Sequence, residues 1–301
     1  MFPALLTTLL FSISGIAANR TTRILGGTEA NFWRILLATL LLAILASVFG
    51  FGLSGPALTT YFLSGIIGFG IGDLALYQAY PRLGTRLSIM LVHCLAAPFG
   101  AVVEWFWLGS RISFPEAAFG LLILGGVALA LAPREHLHIP RRALAIGACM
   151  GVIAALGQAL GAVISRRAFA ICEADNFKME GIAGGITAAY QRIWGGLLVA
   201  GLSVLWVKWR RREPRALHSW RKTTPWLVTN VACGPAFGVA CYQWALDVER
   251  TAIVLPILAL TPLVVIPFSW HLEGERPSLR SLLGGVIAVA GVIGLTFARL
   301  K

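Results

Sequence analysis

Few ionisable groups interrupt the apolar runs of this chain, and chemistry has to start from them. Asp73 lies in Gly70-Ile71-Gly72-Asp73, and Tyr77 follows four residues later on the same helical face. An acid inside an apolar helix costs on the order of 3 kcal/mol unless a partner or water receives it. Asp73 therefore binds a solute, a proton or a cation, or bonds a neighbouring helix. His93 and Glu104 stand eleven residues apart on one stripe, with Pro98 between them to bend the helix. That stripe suits a cavity wall. Equally, His93 suits a satisfied interior position, and Glu104 lies near enough to the run's end to reach headgroup water. Gln78 and Gln243 follow Tyr77 and Tyr242, and Gln158 and Asn230 are the other uncharged polar groups deepest in their runs. Each can hydrogen-bond a substrate or another helix. Pro256, Pro262 and Pro267 share one run and free backbone carbonyls near its middle, as in a broken gating helix or in kinks packed against neighbours.

The elements that position these groups follow from composition. Of 301 residues, 57% are hydrophobic and 13% charged, where a soluble domain carries roughly 25% charge. Such a chain cannot cover a water-facing surface. Its mean hydropathy of +0.79 agrees. An ordinary soluble enzyme, a disordered chain and a nucleic-acid binder are excluded, despite a formal charge of +12. The five cysteines are an odd count without a CxxC pair, and no Cys/His cluster has zinc spacing, so neither a disulfide framework nor a metal site is expected. HExxH, GxSxG and Walker motifs are missing too, which leaves no residues for hydrolysis or ATP coupling and implies no cofactor.

Ten apolar runs are long enough to cross a bilayer, given about 20 residues per span. They are 3–18, 33–51, 57–80, 87–108, 115–132, 143–165, 184–207, 225–246, 252–271 and 279–297. The expected class is an all-α, multi-pass integral membrane protein of ten transmembrane helices.

The chain also repeats itself. At a constant offset of 165, Tyr77 meets Tyr242, Trp105 meets Trp270, Gly109 meets Gly274, Arg111 meets Arg276 and Gly126 meets Gly291. Arg34 and Arg192 each open the second span of their half. The division predicted is 1–138 and 139–301, five spans apiece. An odd number of spans makes the second copy enter the bilayer upside down, as in many secondary transporters whose substrate site lies near the midplane between the halves. Gly68-xxx-Gly72, Gly147-xxx-Gly151, Gly157-xxx-Gly161 and Gly234-xxx-Gly238 read as close-packing faces. At the helix starts, the two arginines can snorkel to the interface.

With the Arg34 and Arg192 helix openings, the turns Leu108-Gly109-Ser110-Arg111-Ile112-Ser113 and Leu272-Glu273-Gly274-Glu275-Arg276-Pro277-Ser278 carry a resemblance over nearly the whole chain. The chain resembles the drug/metabolite transporter superfamily, specifically the EamA-type permeases. Ser110 stands where the family's turn usually has Glu. The resemblance implies two five-helix repeats, export of a small metabolite such as an amino acid or amphipathic compound, a structural or gating role for Arg34 and Arg192, and cytoplasmic termini. The Lys/Arg count of the connections, dominated by Lys208 to Lys222, points the other way and places both termini outside. The partners expected are a small-molecule substrate, the lipid bilayer and a coupling proton or cation. The rival reading is a non-transporting membrane scaffold, or a lipid-handling protein whose basic 208–222 segment grips anionic headgroups.

Overall fold

Segments without water to solvate them must satisfy their own backbone N–H and C=O groups, which only helices or closed barrels achieve. A computed structural model describes residues 1–109, 112–131, 140–210, 220–273 and 279–299, and every regular element among them is helical. The first half holds α1 (Phe2–Leu25), α2 (Gly27–Phe49), α3 (Leu58–Gly65), a π-helical segment (Ile66–Gly72), α4 (Asp73–Leu108) and α5 (Phe114–Leu131). The second holds α6 (Arg141–Ala174), α7 (Gly181–Arg210), α8 (Trp220–Val231), a second π-helical segment (Ala232–Ala236), α9 (Phe237–Val248), α10 (Thr251–Leu258), α11 (Thr261–Glu273) and α12 (Leu279–Arg299). Carried forward by 165 residues, the first π segment falls on 231–237, over the second. Residues 110–111, 211–219 and 274–278 lie outside the described residues. Parts of both family-like turns and most of the basic 208–222 cluster fall among them.

Among the described residues, five stretches are long and apolar enough to cross a membrane: Phe2–Leu25, Gly27–Phe49, Leu58–Trp107, Arg141–Ala174 and Thr251–Phe268. The third runs 50 residues. At about 1.5 Å per residue, a straight rod of that length would exceed twice the roughly 30 Å hydrocarbon layer. Gly84 resolves this. Its φ of 76° and ψ of 176° are not helical, and they divide the stretch into two helices.

Polarity is turned inward. Along α1, Thr7, Thr8, Ser12, Asn19 and Thr21 are buried while Phe2, Leu5 and Leu9 are exposed, and α2 and α7 likewise present Leu40, Ile44, Leu202 and Leu205 outward. An apolar rim around a polar interior fits a hydrocarbon solvent. Two of the glycine faces meet each other. A Cβ on Gly157 would stand 2.6 Å from Gly72 Cα, and one on Gly161 would stand 3.3 Å from Gly68 Cα, so α6 packs against the first π segment almost backbone to backbone. Gly65 meets α7 the same way, since a Cβ there would run into the Arg192 carbonyl. Gly65→Ala is expected to push α3 off α7 and cost about 1–3 kcal/mol, read as a lower unfolding temperature in detergent. Gly125→Ala, with nothing within 4 Å of the new Cβ, should leave that temperature in place.

The proline-rich run does break, at Ala259 and Leu260 between α10 and α11. Its free carbonyls are not turned toward a cavity. Thr8 Oγ1 donates to the Ile257 carbonyl at 3.3 Å, Ser12 Oγ to that of Thr261 at 3.1 Å, and Thr261 Oγ1 to that of Leu258 at 2.6 Å. Pro256 and Pro262 are buried in this packing and Pro267 is on the surface. This corrects the expectation of a cavity-lining gate: hydroxyls of α1 and of Thr261 satisfy the broken turn and hold it as a packed kink.

Candidate functional site

Side chains from both halves converge on one cavity of about 90 Å³, room for on the order of half a dozen waters. The first half supplies Arg34, Asp73, Tyr77 and His93, and the second supplies Gln158, Arg192 and Tyr242. Arg34 belongs to α2 and donates through Nη2 to the Asp73 carboxylate, forming an ion pair, and also to Asn31 Oδ1 at 3.1 Å. Its guanidinium carbon lies 4.8 Å from the centre of the Tyr77 ring, within cation–π range. Tyr77 Oη accepts from the Asn230 amide at 2.6 Å, and Ser14 Oγ donates to Asn230 Oδ1 at 2.9 Å. This chain of bonds links α1, α4 and α8, one wall of the cavity.

Elsewhere on the lining, Gln158 Nε2 donates to His93 Nδ1 at 3.0 Å, which puts the imidazole proton on Nε2. Phe11 stacks on His93 with centroids 6.1 Å apart and meets Tyr242 at 6.0 Å. Arg192 is 4% exposed, with its guanidinium carbon 5.2 Å from the Phe69 ring centre. Its Nη2 fits against two of the packing glycines: a Cβ on Gly68 would come within 2.8 Å of it and one on Gly161 within 3.1 Å.

The two arginines correct the sequence-based expectation that they snorkel. Arg34 lies two turns inside α2 and Arg192 three turns inside α7, and both are buried facing the cavity. Glu104 is the second correction. It is 1% exposed, away from headgroup water and from the cavity. Its carboxylate accepts from the N–H groups of Thr251 (3.3 Å) and Ala252 (3.0 Å) at the start of α10 and pairs with Arg166 Nε at 3.1 Å. A carboxylate suits a helix N-terminus because the first-turn N–H groups lack helical partners.

Further residues at that end belong to the same set. Arg166 also donates to the Glu249 carbonyl, the Met1 amino group pairs with the Glu249 carboxylate at 3.2 Å, and Arg250 pairs with Glu116. Every one of these ion pairs joins a residue before 138 to one after it. Their complementary charges at the ends of runs were the available sequence signal, but the partners lie 62 to 248 positions apart.

Other predicted residues stand elsewhere. Gln78 bonds Thr28 Oγ1 at 3.1 Å on a separate outward groove with Leu202 and Trp206. Gln243 is fully buried outside the cavity lining, and its amide has no hydrogen-bond partner among the described residues. Asn230 sits one bond behind the cavity wall. Pro98 is on the outer face of α4, exposed. Sequence reading missed Phe11 and Ser14 of α1, which line the cavity. The run of hydroxyls along α1 was the signal for Ser14; Phe11 had none.

The model of the EamA-like transporter family matches residues 1–132 and 145–297. A solved crystal structure matches with a TM-score of 0.73 at 18% sequence identity, over 100% of this chain and 98% of its own. At that identity the likeness concerns the fold alone. No curated protein sequence matches.

Proposed function

We propose that this chain, which belongs to the EamA-like transporter family, moves a small metabolite across a membrane as a secondary transporter working by alternating access. A multi-pass membrane transporter is the family's character. The finer reading rests on one observation: the charged cavity is built jointly by both halves, with Arg34 and Asp73 from one and Arg192 from the other. A solute bound there touches two bodies that can rock against each other.

On this reading the helices group into ten crossings. α1, α2, α5, α6, α7 and α12 make one each; α3 with its π segment and the start of α4, the rest of α4 after Gly84, α8 with α9, and α10 with α11 make the other four. Splitting them at 138/139 leaves five on each side, and the two separate family matches support that division. The ion pairs Glu104–Arg166 and Glu116–Arg250 then act as a clamp that holds the halves together at one end. Opening the cavity toward that side requires breaking them, and closing the opposite end completes the cycle. Asp73, paired with Arg34 on the cavity wall, is the group through which a proton would couple: protonation would release Arg34 to the solute. Export is the direction that the family resemblance supports.

Reconstituted protein should show saturable, counterflow-competent uptake of some member of a metabolite panel into vesicles preloaded with the unlabelled compound. Uptake no faster than in protein-free vesicles across the whole panel would overturn the proposal.

A further inference from the structure

We infer that the cavity holds an anion subsite for a carboxylate-bearing solute, formed by Arg192 and Tyr242; the inference rests on the transport reading and names its substrate class. The charges on the cavity wall do not balance. Two arginines line it against one acid, Asp73, and that acid is committed to Arg34. Arg192 makes no ion pair among the described residues, and its Nε has no hydrogen-bond partner there. Tyr242 Oη is likewise without one. Both side chains are 4% exposed and both line the cavity. An unpaired buried guanidinium is costly in a low-dielectric interior, and an arginine kept only for packing would be paired or replaced.

The repeat sharpens the inference. In the first half, Arg34 is answered by Asp73. The offset of 165 carries Asp73 onto Gly238, so the second-half arginine has no acid from the corresponding position. A solute carboxylate would take that place. The guanidinium fork of Arg192 can donate two parallel N–H bonds to it, with Tyr242 O–H donating a third. Gly68 and Gly161 hold the Nη2 side close and so fix the fork's direction. An amine finds no equivalent partner, since the lining offers no second carboxylate. Apolar neighbours such as Leu76, Ile89, Val92 and Val239 leave the rest of the wall suited to a hydrocarbon portion. The expected class is a small organic monoacid, ahead of a cationic compound.

Formate and acetate, each titrated at constant ionic strength with formamide and acetamide as uncharged controls, are probes small enough for the cavity. In purified full-length protein either should raise the unfolding temperature saturably. Arg192→Gln should weaken that binding about ten- to a hundred-fold, the loss of one or two charge-assisted hydrogen bonds, and Arg192→Lys should restore part of it. No saturable effect on the wild type, or an effect that Arg192→Gln leaves unchanged, overturns the assignment. Flux measured with carboxylates and their primary amides separates this from the transport reading. Saturable flux that favours the amides removes the anion subsite and keeps transport. Anion binding lost with Arg192 but no flux of any compound keeps the subsite and removes transport.

Discussion

Asp73→Asn is expected to remove most proton-driven flux and to destabilise the protein by about 3–5 kcal/mol, the usual cost of leaving one member of a buried ion pair alone. Arg34 would keep its charge at 6% exposure, with the Asn31 amide oxygen as a hydrogen-bonding acceptor but no counter-charge. The two effects separate in a second variant. Combining Asp73→Asn with Arg34→Gln removes both charges, and a neutral pair in place of an ionic one often recovers stability. Thermal unfolding should therefore return toward the wild type while coupled flux stays lost. Asp73→Asn protein that still moves substrate at full rate under a proton gradient would end the claim that coupling runs through this acid. The measurement is uptake into vesicles with and without an imposed pH difference, alongside unfolding of the same preparations.

Glu104→Ala is expected to have the second large effect, on the balance of conformations. The carboxylate holds two N–H groups at the start of α10 and pairs with Arg166 of α6, so it ties α4 to the second half twice over. If these contacts favour the closed end by about 3 kcal/mol, their loss shifts the open-to-closed ratio by about a hundred-fold. Spin labels at Ile112 and Asn176, exposed positions of the two halves that chain order places at the clamped end, should then report a longer distance population that the wild type barely shows. Glu104→Gln, which keeps one acceptor for the α10 amides, should fall between. An unchanged distance distribution in Glu104→Ala would show that the pair fastens helices without governing access. The clamp's other pair is less costly to lose, because Arg250 is 37% exposed at its side chain and water replaces part of its interaction.

The sequence carried the glycine faces well. Gly68-xxx-Gly72 and Gly157-xxx-Gly161 were readable as packing surfaces because a missing Cβ is a local property, but only the fold showed that these two face each other. Asp73 and Tyr77 were readable as one polar face because four residues make about one helical turn. The roles of Arg34, Glu104 and the three prolines were not. Position near the end of an apolar run suggested contact with water for the first two, yet each finds a partner across the bundle instead.

By itself the sequence determined what depends on neighbours along the chain: all-helical segments, an apolar exterior, a duplication at one offset, and a handful of ionisable groups that had to be solvated by protein. Tertiary structure decided which groups solvate which. Asp73 answers Arg34, Glu104 answers Arg166 and the α10 amides, and Arg192 faces the cavity with no ion-pair partner among the described residues. The physical reason is that electrostatic partners in a low-dielectric bundle are chosen by the rotation and height of whole helices, and no spacing along one segment encodes those.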